Sequence, residues 1–168
     1  NWWYLKIDPC LSQKFLDTIW KKIISKNFSK KEDQTFETVL NESFETAFSL
    51  PKNYLYEPNA AIMKTQLFGQ LTKDFEVNKL HQNSHLFTSE EHINFPGRKF
   101  KITGILNFGS KELKKKFKSK KANISTRNFP IDVENIRKKL KIKDGGKDYL
   151  FFTTNLKEEK IVLVCEKV

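Results

Sequence analysis

Basic side chains are the residues whose number and spacing most clearly indicate chemistry in this sequence. The segment from Arg98 to Lys147 contains 17 Lys and Arg residues and only four acids, a net charge of +13. The rest of the chain carries 14 Lys and Arg residues against 16 Asp and Glu residues, a net charge of −2. Charge concentrated in this way predicts a surface that binds a polyanion, most directly RNA.

The phosphate contacts are expected mainly on two predicted helices, 110–121 and 132–142. In the first helix a single acid, Glu112, can pair with Lys116 one turn later, so its other lysines have no local partner. Unbalanced like charges destabilise a helix, which favours a binding role over a merely solvated face. We predict that these helices hold phosphates through Lys114, Lys115, Lys118, Lys121, Arg137, Lys138 and Lys141.

Three further polar residues are candidates for directional contacts. Arg127 and Asn128 follow a predicted strand and can offer oriented hydrogen bonds near a base, and Arg98 is expected to orient the RNA. Phe129 either stacks on a base or packs in the core beside Pro130, and the core position is favoured.

The histidines and cysteines do not predict a metal site or a nucleophile. His81 and His85 have a spacing that grips zinc on a helix, but the residues between them favour a loop, and no Cys or acid completes the set. Backbone hydrogen bonding or RNA contact is therefore expected of these two histidines. Cys10 and Cys165 form no CxxC motif, and Cys165 lies in an apolar run that predicts a buried residue in a reducing, cytoplasmic setting.

Hydrophobic periodicity predicts the elements that carry the basic residues. In 98–108, Phe100, Ile102, Leu106 and Phe108 alternate with polar residues, which is typical of a half-buried strand. Ser110 and Asp132 are placed to begin the two helices, and a short strand at 122–129 separates them. Strong strands at 149–154 and 160–168 follow as an antiparallel hairpin. The predicted order is β-α-β-α-β-β in an α+β fold, with both helices on one sheet.

The pattern before residue 98 is less regular. Apolar spacing predicts a helix over 11–26, and short strands are expected at 35–39 and 44–48. A second helix is expected from the 54–62 segment to about Glu76, with Pro58 in its first turn. The break at Phe95-Pro96-Gly97 is interpreted as a boundary. We therefore expect an N-terminal segment, 1–53, a helix and linker, 54–97, and a basic domain, 98–168.

From Tyr54 onward the sequence resembles the C-terminal region of a bacterial family of class I S-adenosylmethionine-dependent methyltransferases. In that family a ferredoxin-like segment precedes a THUMP-like domain. The resemblance rests on YLYEPNAAIMK, KLHQNSHLFTS and FPGRKFKI, then on ANISTRNFPIDVENIRKKLKIKDGG, YLFFTT and IVLVCEKV. It implies that residues 98–168 dock tRNA or rRNA for a catalytic domain of the same polypeptide. Residues 1–53 match the family less well, and two interpretations stay open for them: a diverged or partial ferredoxin-like piece, or the remnant of a longer chain.

No catalytic residue and no cofactor are predicted in this chain. None of the six glycines forms the Gly-rich turn after a strand that would hold S-adenosylmethionine, so that cofactor is expected in the parent's catalytic domain. The start at Asn1 without Met indicates a fragment of a longer protein. No run of about 18 apolar residues occurs, so no transmembrane helix is expected. No membrane partner is expected either, because the basic helices lack an exposed Trp or Leu face that could insert into a membrane surface. The alternative function is a protein-docking domain that presents its basic face to an acidic partner.

Overall fold

The computed structural model describes residues 44–168 in full, together with the backbone of two strands before them. These strands, β1 (Lys21–Asn27) and β2 (Gln34–Leu40), pair as an antiparallel hairpin. The strand predicted at 35–39 is therefore confirmed. The helix predicted over 11–26 is wrong for its last turns, and 11–20 lie outside the described residues. A strand is stabilised by hydrogen bonds to its partner strand, here β2, and local apolar spacing does not show that pairing.

Residues 54–58 form a strand, β3 (Tyr54–Pro58), and not the start of a helix. The four residues after Tyr54 are all buried, so the segment lacks the alternation that marks a half-buried strand. Pro58 ends this strand, and the Asn59 side chain caps the next helix by accepting a hydrogen bond from the backbone N–H of Ile62 at 3.0 Å. The predicted single helix is in fact two, α1 (Ala60–Thr65) and α2 (Phe68–Asp74), separated by Gln66 in the left-handed region.

Seven strands form one sheet in the order β4-β5-β3-β6-β9-β8-β7. The strands after β3 are β4 (Asn78–Lys79), β5 (Phe87–Ser89), β6 (Gly97–Asn107), β7 (Asn123–Arg127), β8 (Asp148–Thr154) and β9 (Lys160–Lys167). Helix α3 (Lys111–Phe117) connects β6 to β7, and α4 (Val133–Leu140) connects β7 to the parallel strand β8. The α+β class and the order β-α-β-α-β-β from residue 98 are confirmed.

The strand predicted at 44–48 is wrong except at its end. Phe48 forms a single parallel bridge with Lys79 at the outer edge of β4. The Lys79 N–H donates to the Ala47 carbonyl at 2.8 Å, and the Ser49 N–H donates to the Lys79 carbonyl at 3.1 Å. This segment therefore covers the backbone of an edge strand.

A β-bulge at Thr103 divides the long strand β6 into two halves. Ile102 pairs with Cys165 and Gly104 with Val164, so Thr103 is an extra residue relative to β9. An extra residue reverses the side-chain alternation and increases the local twist. Phe100 and Leu106 consequently lie on opposite faces of the sheet, whereas simple alternation along the strand would place both residues on the same face.

Both faces of the central strands are buried. One face carries Leu106, Phe152 and Val162 against Leu113 and Phe117 of α3 and Ile136 and Leu140 of α4. The other face carries Phe100, Phe151 and Leu163 in a cluster with Leu55 of β3 and with Leu80 and Leu86, which flank the turn after β4. The β3-β5-β4 side of the sheet therefore curls over the β9-β8 side, which brings residues from opposite edges together.

The described helices are short. No helix in the part of the chain that the structure describes has both the length and the apolar character needed to span a membrane.

Candidate nucleic-acid interface

Helix α3 exposes its lysines because its apolar stripe is narrow. Ser110 begins the helix by accepting a hydrogen bond from the Leu113 N–H at 3.1 Å. Leu113 and Phe117 are buried one turn apart, and the lysines between and beside them are exposed. The helix ends at Phe117, one turn earlier than predicted, because Lys118 leaves the helical region with a ψ of 125° and Ser119 then adopts a left-handed φ of 63°. Lys118 and Lys121 therefore follow the helix and do not lie on it.

Helix α4 ends beside the C-terminal end of α3. The Lys141 carbonyl accepts from the Ser119 N–H at 2.9 Å, and the Lys120 carbonyl accepts from the Lys143 N–H at 2.8 Å. These backbone hydrogen bonds gather exposed side chains of one sign into a lysine cluster, which consists of Lys118, Lys120, Lys121, Lys141 and Lys143. Helix C-termini stabilise cations, but five neighbouring cations repel one another, and a bound anion would relieve that repulsion.

The lysine cluster has no acidic partner within residues 44–168, because the four ion pairs there involve other side chains. Glu112 does not pair with Lys116, whose ammonium lies 5.7 Å from the Phe117 ring instead. Lys114, Lys115 and Lys138 are likewise exposed on α3 and α4. These lysines remain available to phosphate.

Arg137 differs from the neighbouring lysines because its side chain is mostly buried. Its Nη1 donates to the Ala122 carbonyl at 3.2 Å, and its Nη2 contacts the Asp144 carboxylate at 2.5 Å. The guanidinium therefore ties α4 to the start of β7 and to the loop before β8. Arg137 is one of the predicted phosphate contacts, and a phosphate bound there would share the guanidinium group with the Asp144 carboxylate.

Arg98 and Arg127, which sequence separates by 29 positions, meet on one carboxylate. Both guanidinium groups form ion pairs with Glu57, Arg98 with its Oε2 and Arg127 with its Oε1. The Glu57 side chain is only 10% exposed, whereas Arg98 and Arg127 are 48% and 42% exposed. Glu57 therefore fixes both arginines and leaves part of each accessible to a ligand.

Asn128 is held by the loop that follows β4. Its Nδ2 lies 2.9 Å from Nδ1 of His81, and its carbonyl accepts from the Thr154 hydroxyl at 2.7 Å. The His81 ring also contacts the Glu158 carboxylate through Nε2 at 2.9 Å. His81 therefore links its own loop to Asn128, after β7, and to Glu158, in the turn before β9. Backbone hydrogen bonding is expected of this histidine, and Nδ1 does accept from the Asn83 N–H, but its other two partners are side chains. No group of three metal-ligating residues occurs in the described part of the chain.

Phe129 packs in the core and does not stand free for stacking. Its ring is 5.0 Å from that of Phe108 and 5.6 Å from that of Phe152, in edge-to-face arrangements.

Cys165 is buried, and burial raises the pKa of its thiol, which fits the small apolar role predicted for it.

Sequence reasoning did not select Lys79, Lys120 or Lys143 as site residues. The positive charge of Lys120 and Lys143 is visible in the sequence. The backbone hydrogen bond that brings them together is not, because it joins segments more than 20 residues apart. Lys79 is only 3% exposed, and burial lowers the pKa of its ammonium group. A buried lysine on a two-residue strand has no sequence pattern that would reveal it.

Comparison with known families divides the described chain into two parts. Residues 54–96 match the family model of a ferredoxin-like domain, and residues 97–167 match the model "THUMP domain-like". The chain carries a ferredoxin-like domain followed by a THUMP-like domain. The resemblance predicted from Tyr54 onward is confirmed. The sheet is continuous across the two domains, because β3 of the first pairs with β6 of the second.

One solved structure similar to this chain is the crystal structure of a "putative methyltransferase" from Porphyromonas gingivalis W83. It is 30% identical with a TM-score of 0.75, and the match covers 88% of this chain. The chain spans 38% of the length of that protein. No curated protein matches the chain at a significant level. A THUMP-like domain and this neighbour together support a role associated with RNA binding and with methyltransferases.

Proposed function

We propose that this chain is an RNA-binding module that positions tRNA or rRNA for an S-adenosylmethionine-dependent methyltransferase domain elsewhere in a longer cytoplasmic protein. The observation that carries the proposal is the lysine cluster, whose five side chains are exposed and have no acidic partner in residues 44–168. A positive surface with few compensating acids binds phosphate through charge and N–H donors. The catalytic step and its cofactor belong to the other domain.

The arrangement suits a docking role because the basic residues sit on fixed structure. The two helices pack on one core cluster, and their C-terminal ends are hydrogen-bonded to each other. Phosphate contacts of this kind set position and orientation and carry no sequence information of their own. A rigid patch can therefore present one region of a structured RNA to a separate active site.

Charge reversal in the lysine cluster tests this proposal against docking of an acidic protein. We expect Lys118→Glu, Lys121→Glu and Lys141→Glu together to weaken tRNA binding by about 100-fold at physiological salt, since three phosphate contacts are lost. Filter binding measures the affinity. The matched control reverses the exposed residues Lys157, Lys160 and Lys167, which changes the net charge equally and lies outside the cluster.

Two outcomes would overturn the RNA role. One is equal loss in both triple variants, which would show that only net charge matters. The other is unchanged RNA binding by the cluster variant while it loses an acidic partner, such as the methyltransferase domain itself.

A further inference from the structure

Two arginines of the THUMP-like domain meet on a carboxylate of the ferredoxin-like domain. Arg98 lies at the start of β6 and Arg127 at the end of β7, both within residues 97–167, whereas Glu57 lies on β3 within residues 54–96. Both guanidinium groups form ion pairs with that one carboxylate. We call Arg98 and Arg127 the arginine pair; the lysine cluster contains neither of them.

The strand register places Glu57 and Arg98 on the same face of the sheet. They are direct partners in the pairing of β3 with β6, and each lies two residues from a core residue, Leu55 and Phe100 respectively. Leu55 and Phe100 belong to one core cluster, and side chains two residues apart on a strand share a face. Glu57 and Arg98 therefore lie at the rim of this core cluster, where the curled sheet brings Arg127 to the same carboxylate.

The arginine pair carries more positive charge than Glu57 balances. Two cations share one carboxylate, and the ion pairs among residues 44–168 give neither arginine a second acid. The Glu57 side chain is nearly buried, whereas both arginine side chains are about half exposed. The excess charge therefore faces solvent, and a ligand reaches it without entering a cavity.

Each guanidinium group also has a nitrogen that the protein does not use. Arg98 directs Nε and Nη2 to Glu57, and Arg127 directs Nη2 to Glu57 and Nη1 to the Thr126 carbonyl. Within residues 44–168, Arg98 Nη1 and Arg127 Nε have no hydrogen-bond partner. Guanidinium groups bind phosphate through oriented N–H groups, and a carboxylate that already holds them reduces the conformational freedom lost on binding.

We propose that the arginine pair binds one phosphate group of an RNA and that Glu57 positions both guanidinium groups for it. The RNA as the source of this phosphate rests on the proposed function. Strand β7 is an edge strand of the sheet; it begins two residues after Lys121 of the lysine cluster and ends at Arg127. Extended chain from Lys121 to Arg127 spans about 20 Å, which corresponds to roughly six phosphates along one strand of a duplex. One RNA helix lying along β7 therefore reaches the lysine cluster and the arginine pair together.

The site itself is tested with inorganic phosphate and the full chain. The sequence contains three arginines, so NMR can follow each Nε–H signal separately while phosphate replaces chloride at constant ionic strength. We expect a saturable shift of the Arg127 signal in the wild type and roughly tenfold weaker binding in Arg98→Lys, which keeps the charge beside Glu57 and loses the planar N–H fork. Lys101→Arg, a charge-conserving change on the opposite face of β6 from Arg98, is the matched control and should bind as the wild type does. No saturable shift, or equal binding by the two variants, would overturn the site.

A second variant keeps the site testable if Arg98→Lys fails to fold. Arg127→Lys likewise retains an ammonium group beside Glu57, and phosphate binding is then read from the Arg98 Nε–H signal. We expect the same roughly tenfold weakening, because the phosphate loses the oriented donor on the other side. Wild-type phosphate affinity in Arg127→Lys would overturn the proposal.

Hairpin RNAs with stems of about 4 and about 10 base pairs test RNA as the source, since only the longer stem spans the distance of about 20 Å between the two basic groups. We expect Arg98→Lys with Arg127→Lys to weaken binding of the longer hairpin roughly tenfold and of the shorter one less than about twofold, because the lysine cluster alone can hold the shorter hairpin. The control is the charge-conserving double variant Lys101→Arg with Lys157→Arg, at two exposed lysines.

The outcomes separate this inference from the proposed function. Equal affinity of the two double variants for the longer hairpin overturns the RNA contact of the arginine pair, while the proposed function stands if charge reversal in the lysine cluster still weakens binding. A phosphate shift at Arg127 without RNA binding by the wild type retains the phosphate site and contradicts the proposed function.

Discussion

At the scale of single residues, Glu57 determines where two of the predicted RNA-binding arginines lie. It is nearly buried and forms ion pairs with Arg98 and Arg127, which sit on strands from different parts of the sheet. The sequence indicates both arginines through the charge of their segment. It does not indicate Glu57, because that residue lies 41 positions before Arg98 in a segment expected to be helical.

Replacing Glu57 by Gln tests this structural role. The change leaves two guanidinium groups without their shared carboxylate, and since both are about half exposed we expect a moderate loss of about 1–2 kcal/mol in the free energy of unfolding. Urea unfolding at constant m-value measures the loss. Glu166→Gln, an exposed acid on β9, is the control and should change stability by less than about 0.5 kcal/mol. Equal stability of the two variants would show that the ion pairs contribute little.

His85 gives a pH dependence with a defined sign. Its pKa in the folded protein is lowered from 6.5, first by burial and then by Lys79 and Arg127. Between the lowered pKa and 6.5 the unfolded chain binds more protons, so the free energy of unfolding rises with pH through this window. We expect wild-type stability to fall as the pH drops below about 6.5, and His85→Asn to reduce that slope.

The control for this measurement is His92→Asn, the same substitution at an exposed histidine, against which the change of slope in His85→Asn is compared. Urea titrations at a series of pH values give the comparison. A slope that persists in His85→Asn would place the responsible group elsewhere.

At the scale of elements, the second half of the chain follows its sequence pattern closely. Ser110 and Asp132 cap the helices as predicted, and the β8–β9 hairpin has the predicted extent within one residue at each end. Local signals suffice there because the apolar periods are regular and the caps are side-chain hydrogen bonds. They fail at β3, where consecutive residues are buried on both sides, and at Thr103, where one extra residue reverses the alternation.

Two glycines on β6 test the close approach of the domains. A Cβ at Gly97 would lie 2.1 Å from the Glu57 carbonyl oxygen, which belongs to the paired backbone of β3. We expect Gly97→Ala to lower the free energy of unfolding by about 1–3 kcal/mol, because β3 must move away. At Gly104 the nearest atoms are 3.9 Å away, so Gly104→Ala should change stability by less than about 1 kcal/mol.

Chemical denaturation of the two glycine variants measures the difference. Similar stabilities would contradict the tight contact between β3 and β6. A loss in Gly97→Ala alone supports the view that the ferredoxin-like and THUMP-like domains share one continuous sheet.

At the scale of the whole molecule, the fold brings basic residues from distant parts of the sequence together at two places. The lysine cluster forms at the joined ends of α3 and α4, and Arg98 and Arg127 meet on Glu57 where the sheet curls over itself. The sequence predicts the first in outline because charge is visible in composition. The second depends on contacts between distant strands, which no local pattern encodes.

The salt dependence of RNA binding tests the central claim most directly. With four to six phosphates contacted, a plot of log affinity against log salt concentration should have a slope of about −3 to −5. Neutralising Lys118, Lys121 and Lys141 to Gln should reduce the magnitude of that slope by about 2–3. The triple Gln variant of Lys157, Lys160 and Lys167 should keep the wild-type slope. No RNA binding at low salt, a slope near zero, or equal slopes for the two triple variants would contradict the account.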